Sequence, residues 1–209
     1  MRMLAIETTT EACSVALFEG ESTAPLASRH ERIGRGHAER LVPMIAELPE
    51  RGRADRILVS LGPGSFTGVR IGIATARALG IAWRAQVLGY PTLALVAAMA
   101  GRDPGALDEA LAMLVCMNAG HGEWFVQPFS AAGEPASTCR SLPPESAVRE
   151  HDETLVAGSR ASEFVDLRGF GKAVELLPEA AYARNIAETL LSEQLSPVYG
   201  RAPDARLPA

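Results

Sequence analysis

The chain has 209 residues, 47% of them hydrophobic and 22% charged, and a formal net charge of -5. That length allows one large domain or two small ones, and the balance excludes a disordered chain. The acidity argues against autonomous, salt-driven binding to nucleic acid, which needs a basic face. Cys13, Cys116 and Cys139 are widely spaced and form no CxxC pair. Neither a disulfide framework nor a zinc knuckle is indicated, and a reducing compartment fits. The opening MRMLAI is too short an apolar region for a signal peptide. The longest apolar zone, from Ile57 to Trp83, is broken by Arg70, Arg77 and a glycine loop, so it is no ordinary membrane span. A cytoplasmic protein without membrane contact is expected.

The first element reads as a β-hairpin, with apolar runs Met3 to Ile6 and Cys13 to Phe18 around the polar turn Glu7 to Glu11. Arg29, Arg32 and Arg35, and later Arg51, Arg53 and Arg56, read as solvated loops. Between them Leu41, Val42, Ile45 and Leu48 recur at helical spacing, which predicts an amphipathic helix over 37–48, with Pro43 limiting its regularity. A short apolar strand at 57–61, a glycine loop and a helix over 69–83 follow. A second hairpin is predicted from Met113 to Met117 and Trp124 to Phe129, turning at Asn118 to Gly122. Each half therefore begins strand, turn, strand. Gly and Pro in GRDPGALDE place a boundary within 101–109, giving an N-terminal α/β lobe over 1–103 and a C-terminal one over 104–209. Within the latter, 155–158 reads as a strand, 183–191 as a helix, and the Pro-rich end as an extended tail.

The loop SLGPGSFTGVRIG stands between strand and helix, where an anion can meet free backbone N–H groups. It fails each specific test. No Gly-Lys-Ser/Thr ending follows Gly62 or Gly64, the third glycine of a dinucleotide fingerprint is displaced to Gly68, and Pro63 stands where a nucleophile elbow around Ser65 needs glycine. A loop that turns a strand into a helix is the reading left. On that helix Gly72, Ala76 and Gly80 are four residues apart and share one side. Such a stripe permits close backbone approach, either to the chain's own sheet or to an external helix.

Together, MLAIETTTEACSVALFEG, GHAERLVPMI, SLGPGSFTGVRIGIATARALG, NAGHGEWF and PVYGRAP, in this order, resemble the bacterial TsaB (YeaZ) family over nearly the whole chain. The resemblance implies an α/β, two-lobed actin-like ATPase (ASKHA, ribonuclease H-like) fold. It also implies a non-catalytic scaffold in the making of N6-threonylcarbamoyladenosine in tRNA, pairing with the paralogue TsaD as a heterodimer, alongside TsaE, and meeting tRNA only through the complex. A homodimer in isolation stays open. His37, Leu41 and Ile45, with Gly72, Ala76 and Gly80, are the expected partner interface, and an arginine at Ala76 is expected to abolish pairing and spare the monomer.

TsaD is expected to bind its metal through H-x-E-x-H; here the stretch is His37, Ala38, Glu39, Arg40, Leu41, so no metal site is expected. His37 reads as a polar residue at a helix start. Actin-like ATPases present an aspartate and small hydroxyls to metal and phosphate at the first hairpin turn. Here Glu7, Thr8, Thr9 and Thr10 stand there as a degenerate nucleotide site. No tightly bound cofactor is expected, with ATP or ADP left open at the partner interface. The second turn carries Asn118, Ala119 and Gly120 where relatives commonly have Asp-Ala-Arg. Tyr199 and Arg201 match the family's ending, in packing or in function. The competing reading is an independent ATP-dependent phosphotransferase or a glycoprotease-like peptidase.

Overall fold

A computed structural model describes residues 1–102 and 112–200. The first hairpin forms as expected: β1 (Arg2–Glu7) pairs antiparallel with β2 (Ala12–Glu19), from Arg2 opposite Glu19 to Glu7 opposite Ser14. A third strand, β3 (Ala27–Arg32), was not anticipated; it pairs antiparallel with β2 and forms the edge of the sheet. Its run of charges is what an exposed edge carries, so Arg29 and Arg32 sit on a strand and not in a solvated loop. On the other side of β1, β4 (Arg56–Ser60) and then β5 (Gln86–Tyr90) add in parallel, in the order β3-β2-β1-β4-β5. Arg56 therefore begins a strand as well.

Alternation along β1 divides the core. Met3 and Ala5 point into a cluster between the two sheets, and Leu4 and Ile6 into one under the helices. Leu58 on β4 joins the first cluster, Ile57 and Val59 the second. Both faces of the sheet are buried, which is why these strands read as continuous apolar runs. The helical cover is α1 (His37–Ala46), whose helix continues through Pro43, and α2 (Phe66–Trp83), one turn longer at its start than its sequence pattern suggests.

The second sheet has the order β10-β9-β6-β7-β8, with β6 (Met113–Gly120) and β7 (Glu123–Phe129) as the expected hairpin. The others are β8 (Arg140–Leu142), β9 (Leu155–Ala157) and β10 (Lys172–Val174), with β9 parallel to β6. Between the sheets lies α3 (Thr92–Ala100), buried at every position but Ala98. The helices α4 (Pro144–Glu150) and α5 (Ala161–Arg168) cover the far face, where Phe164 of α5 packs with Leu114 and Val126 of the sheet.

The expected boundary at 103/104 lies outside the described residues. No helix forms over 183–191. Instead two 3-10 turns, Ala180–Asn185 and Glu188–Leu190, run into extended chain, because Ala180, Ala183 and Ile186 pack onto the inter-sheet core while the chain returns to the first lobe. There Gly89 and Ser192 exchange N–H to carbonyl bonds of 2.8 and 2.9 Å, and Val198 N–H reaches Leu61 O at 2.7 Å. Arg56 holds Glu188 through two bonds of 2.9 and 2.6 Å. The Pro-rich segment is thus a strap across β5 and α2. No helix among the described residues is long and apolar enough to cross a membrane.

Candidate functional site

The glycine loop is folded onto the turn of the first hairpin. Ser65 N–H donates to Thr9 O at 2.7 Å, and Thr8 Oγ1 donates to Gly68 O at 2.8 Å. A Cβ at Gly64 would strike Thr9 O, and one at Gly68 would strike Thr8 O, so only glycine lets the two backbones approach this closely. Ser65 is the N-cap of α2, accepting the Gly68 N–H at 3.2 Å. Its hydroxyl is thereby committed to capping.

Glu7, Thr8 and Thr9 are fully buried beneath that loop. Glu7 Oε1 accepts the Thr9 N–H at 2.7 Å, and the Tyr90 hydroxyl lies 3.0 Å from Ile6 O and 3.4 Å from Glu7 Oε2. Thr92 Oγ1 joins Ser60 Oγ at 2.7 Å and Thr9 Oγ1 at 3.2 Å. Burial pushes the Glu7 carboxyl above its usual value, against hydrogen bonds from Thr9, Ser60 and Tyr90. Thr10, part-buried, accepts the Ala12 N–H at 3.2 Å. The fold class implies a magnesium nucleotide at this turn, and these residues do not fit one. The carboxyl is desolvated and the hydroxyls of Thr8 and Thr9 bond to the chain itself. The backbone of the glycine loop lies directly against Thr8 and Thr9.

The six expected interface residues also point inward. Leu41, Ile45 and Ala76 lie in the core beneath α1 and α2. A Cβ at Gly72 would come within 2.6 Å of Thr8 Oγ1, and one at Gly80 would strike the Val87 side chain. The small-residue stripe therefore serves the internal alternative, seating α2 on its own sheet. His37 opens α1, buried, with Nε2 3.2 Å from Ala12 O. An arginine at Ala76 would have to enter the core, so that substitution cannot spare the monomer.

The opposite sides of the same helices are open. On α1, Ala38, Val42 and Ala46 are exposed; on the neighbouring α2, so are Ala74, Ala78 and Ile81. Val42 is 55% and Ile81 83% exposed. A hollow of about 480 Å³ between the helix starts is lined by Ala38, Glu39, Thr67 and Ile71. At the same end, Phe66 and Tyr199 stack at 5.9 Å, and the Arg70 guanidinium lies 3.2 Å above the Phe66 ring. On α1 these exposed residues follow the buried ones by one position, and on α2 Ala74 and Ala78 follow Gly72 and Ala76 by two, so the expected interface set fell on the buried side of both helices. Arg201 lies outside the described residues.

Elsewhere the remaining candidates are bound internally. Arg29 and Arg40 bridge to Glu47 at 3.3 and 2.7 Å, and Arg32 to Glu11 at 3.1 Å. At the second turn Asn118 Oδ1 accepts the Gly120 N–H at 3.1 Å, facing an inter-lobe cleft of about 500 Å³. Burial pushes the Cys13 thiol up to about 11, Cys139 up to about 12 and Cys116 further still.

Comparison with known proteins agrees with this architecture. The family model described as TsaD, tRNA N6-adenosine threonylcarbamoyltransferase, matches residues 26–139. The structure of YeaZ from Pseudomonas aeruginosa superposes with a TM-score of 0.77 at 32% identity, covering 95% of this chain and 99% of that one. The chain belongs to the TsaB (YeaZ) family. Its TsaB relative in Escherichia coli K12, a tRNA threonylcarbamoyladenosine biosynthesis protein, is 40% identical over 111 residues, 51% of this chain and 47% of the relative. The Haemophilus influenzae TsaB is 41% identical over 85 residues, 38% of this chain and 34% of the relative. The matches to these curated TsaB proteins thus span half their length or less. At 10% identity the polyphosphate/ATP-glucomannokinase of Arthrobacter shares the fold alone, with a TM-score of 0.51 over 88% of this chain. The fold is the two-lobed α/β fold of actin-like ATPases, and in this TsaB-family chain the glycine loop is bonded to the first hairpin turn.

Proposed function

We propose that this chain is a non-catalytic scaffold of the tRNA N6-threonylcarbamoyladenosine machinery, pairing with a TsaD-type transferase through the open faces of α1 and α2. The observation that carries the proposal is the exposed apolar surface of Val42, Ala46, Ala74, Ala78 and Ile81 beside a first hairpin turn bonded to the chain's own glycine loop. Isolated surface apolar residues need no explanation, but a set shared by two adjacent helices is what a helix-bundle interface uses. Rigid attachment of α2 through its buried glycines gives that surface a fixed shape.

Activation then follows from differential binding. A scaffold that fits one conformation of its partner better than another shifts the partner toward that state by the difference in affinity. On this reading tRNA meets the chain only within the complex, TsaE is a further component, and ATP or ADP belongs to the partner interface. The free chain pairs with itself, if at all, through the same two helices, and it works in the cytoplasm.

The test is reconstitution. Threonylcarbamoyl transfer to tRNA by the TsaD-type protein is measured with TsaE and ATP, with and without this chain. Transfer that depends on stoichiometric addition of the chain supports the scaffold reading. Transfer at full rate without it, or ATP turnover by the chain alone, supports an independent enzyme instead.

A further inference from the structure

On α2, Arg70 and Arg77 are exposed and seven residues apart, two helical turns or about 10 Å along one side. Arg70 Nη2 donates to the Tyr199 hydroxyl at 2.6 Å, and Arg77 Nη2 donates to Leu195 O at 2.9 Å. Each guanidinium is thus held in place by one bond to the strap, with the rest of its five N–H donors unspent. Together with Ile73, Ala74, Leu195 and Pro197 they line a groove of about 350 Å³ between α2 and the strap. Among the described residues neither arginine has a carboxylate within salt-bridge distance, a state they share with Arg35, Arg51, Arg53, Arg84, Arg102, Arg149 and Arg168. What sets Arg70 and Arg77 apart is their placement: both stand on one side of α2, both are bonded to the strap, and both line the same groove.

We infer that Arg70 and Arg77 select the partner: they receive two carboxylates, about two turns apart, on a helix of the partner protein that seats along the groove. The inference rests on the pairing reading above and deepens it. A guanidinium already fixed by a local bond loses little further freedom when it binds, and its fork matches a carboxylate in two-bond geometry. Apolar Ile73 and Ala74 between the two charges suit the body of a helix, and partner carboxylates would complete the charge balance along the strap.

A second copy of this chain fits less well. Exposed α1 offers Glu39, whereas Glu47 is already held by Arg40 and Arg29. A self-pair would bring four guanidiniums to the interface against two free carboxylates. The two arginines therefore favour the heterologous partner over the homodimer.

Binding of the purified chain to the TsaD-type protein is titrated by calorimetry at 50 and 500 mM sodium chloride, for the unsubstituted chain, Arg70→Gln/Arg77→Gln and Tyr199→Phe. The unsubstituted chain should weaken roughly tenfold or more at high salt. The double variant should bind roughly tenfold or more weakly at low salt and lose most of the salt dependence, without weakening self-association. Tyr199→Phe, which frees Arg70 from its bond to the strap but keeps both charges, should weaken binding less than the double variant and keep the full salt dependence. Equal binding and equal salt dependence for the double variant would overturn the arginine assignment and leave the pairing reading standing. No binding by the unsubstituted chain at either salt would overturn both.

Discussion

The hydroxyl of Thr8 donates to the carbonyl of Gly68 at 2.8 Å, joining the first hairpin turn to the first turn of α2 across 60 positions of sequence. The bond can form only because Gly68 carries no side chain, since a Cβ there would strike Thr8 O. In this chain the first hairpin turn is bonded to the start of a helix.

Gly68→Ala therefore tests the lock. Forcing a methyl group against a fixed backbone oxygen should destabilise the fold by about 1–3 kcal/mol, as overpacking does elsewhere. Thr8→Val removes the hydroxyl bond to the Gly68 carbonyl and should cost about 1 kcal/mol. Urea unfolding measures both, and midpoints unmoved by Gly68→Ala would contradict the close contact.

Two arginine substitutions on α2 should behave oppositely. Ala76→Arg places a guanidinium in the core and should leave little folded protein. Ala78→Arg lies on the open side and should change stability by no more than about 0.5 kcal/mol while abolishing pairing. Far-UV circular dichroism with thermal melts separates the two.

Glu7 should make stability fall as pH rises above the ordinary carboxylate value of 4.5. Its carboxyl is raised in the folded state by burial, so the folded protein holds the proton to higher pH than the unfolded chain. Its contribution is complete below 4.5 and is lost as pH rises toward the folded value. Glu31, Glu47 and Glu188 act in the other direction. Arg40 lowers the first two and Arg56 the third, so their stabilisation is present above 4.5 and lost as pH falls. Between pH 4.5 and 7 the stability of Glu7→Gln should rise relative to the unsubstituted chain. Parallel curves in denaturant titrations over that window would contradict a buried, raised Glu7.

The thiols should be silent in the folded protein. Cys13 and Cys116 are buried, and burial raises all three thiols well above neutral pH. Ellman's reagent at pH 7.5 should label none of them rapidly, and all three after unfolding. Fast labelling of one native thiol would contradict the burial described.

Much of the architecture was legible in the sequence because its signals are local. The hairpins of β1–β2 and β6–β7 alternate apolar runs with polar turns, and the glycine loop marks the step from β4 into α2. Where tertiary context decides, the pattern was silent or misleading. The helix α3 is apolar all round and carries no periodicity. The strand β3 is a charged edge whose partner lies in β2. Residues 183–191 have helical spacing but are drawn into 3-10 turns and a strap. The site shows the same division. Periodicity placed both helices correctly, yet a small-residue stripe fits an own sheet and a foreign helix equally well. Only the positions of Thr8 and Val87 show that Gly72 and Gly80 face inward. Nor does sequence spacing reveal that Gly64 and Gly68 close over Thr8 and Thr9.

The central claim is that the open faces of α1 and α2 are the surface for a TsaD-type partner. The most direct measurement is size-exclusion chromatography with light scattering on the chain, the partner and their mixture, with and without ATP, repeated with Val42→Asp/Ala78→Arg. The account predicts a one-to-one complex that replaces any self-dimer, and its loss in the double variant although that variant melts like the unsubstituted chain. A mixture that never co-elutes, or a complex the double variant forms equally well, would contradict it.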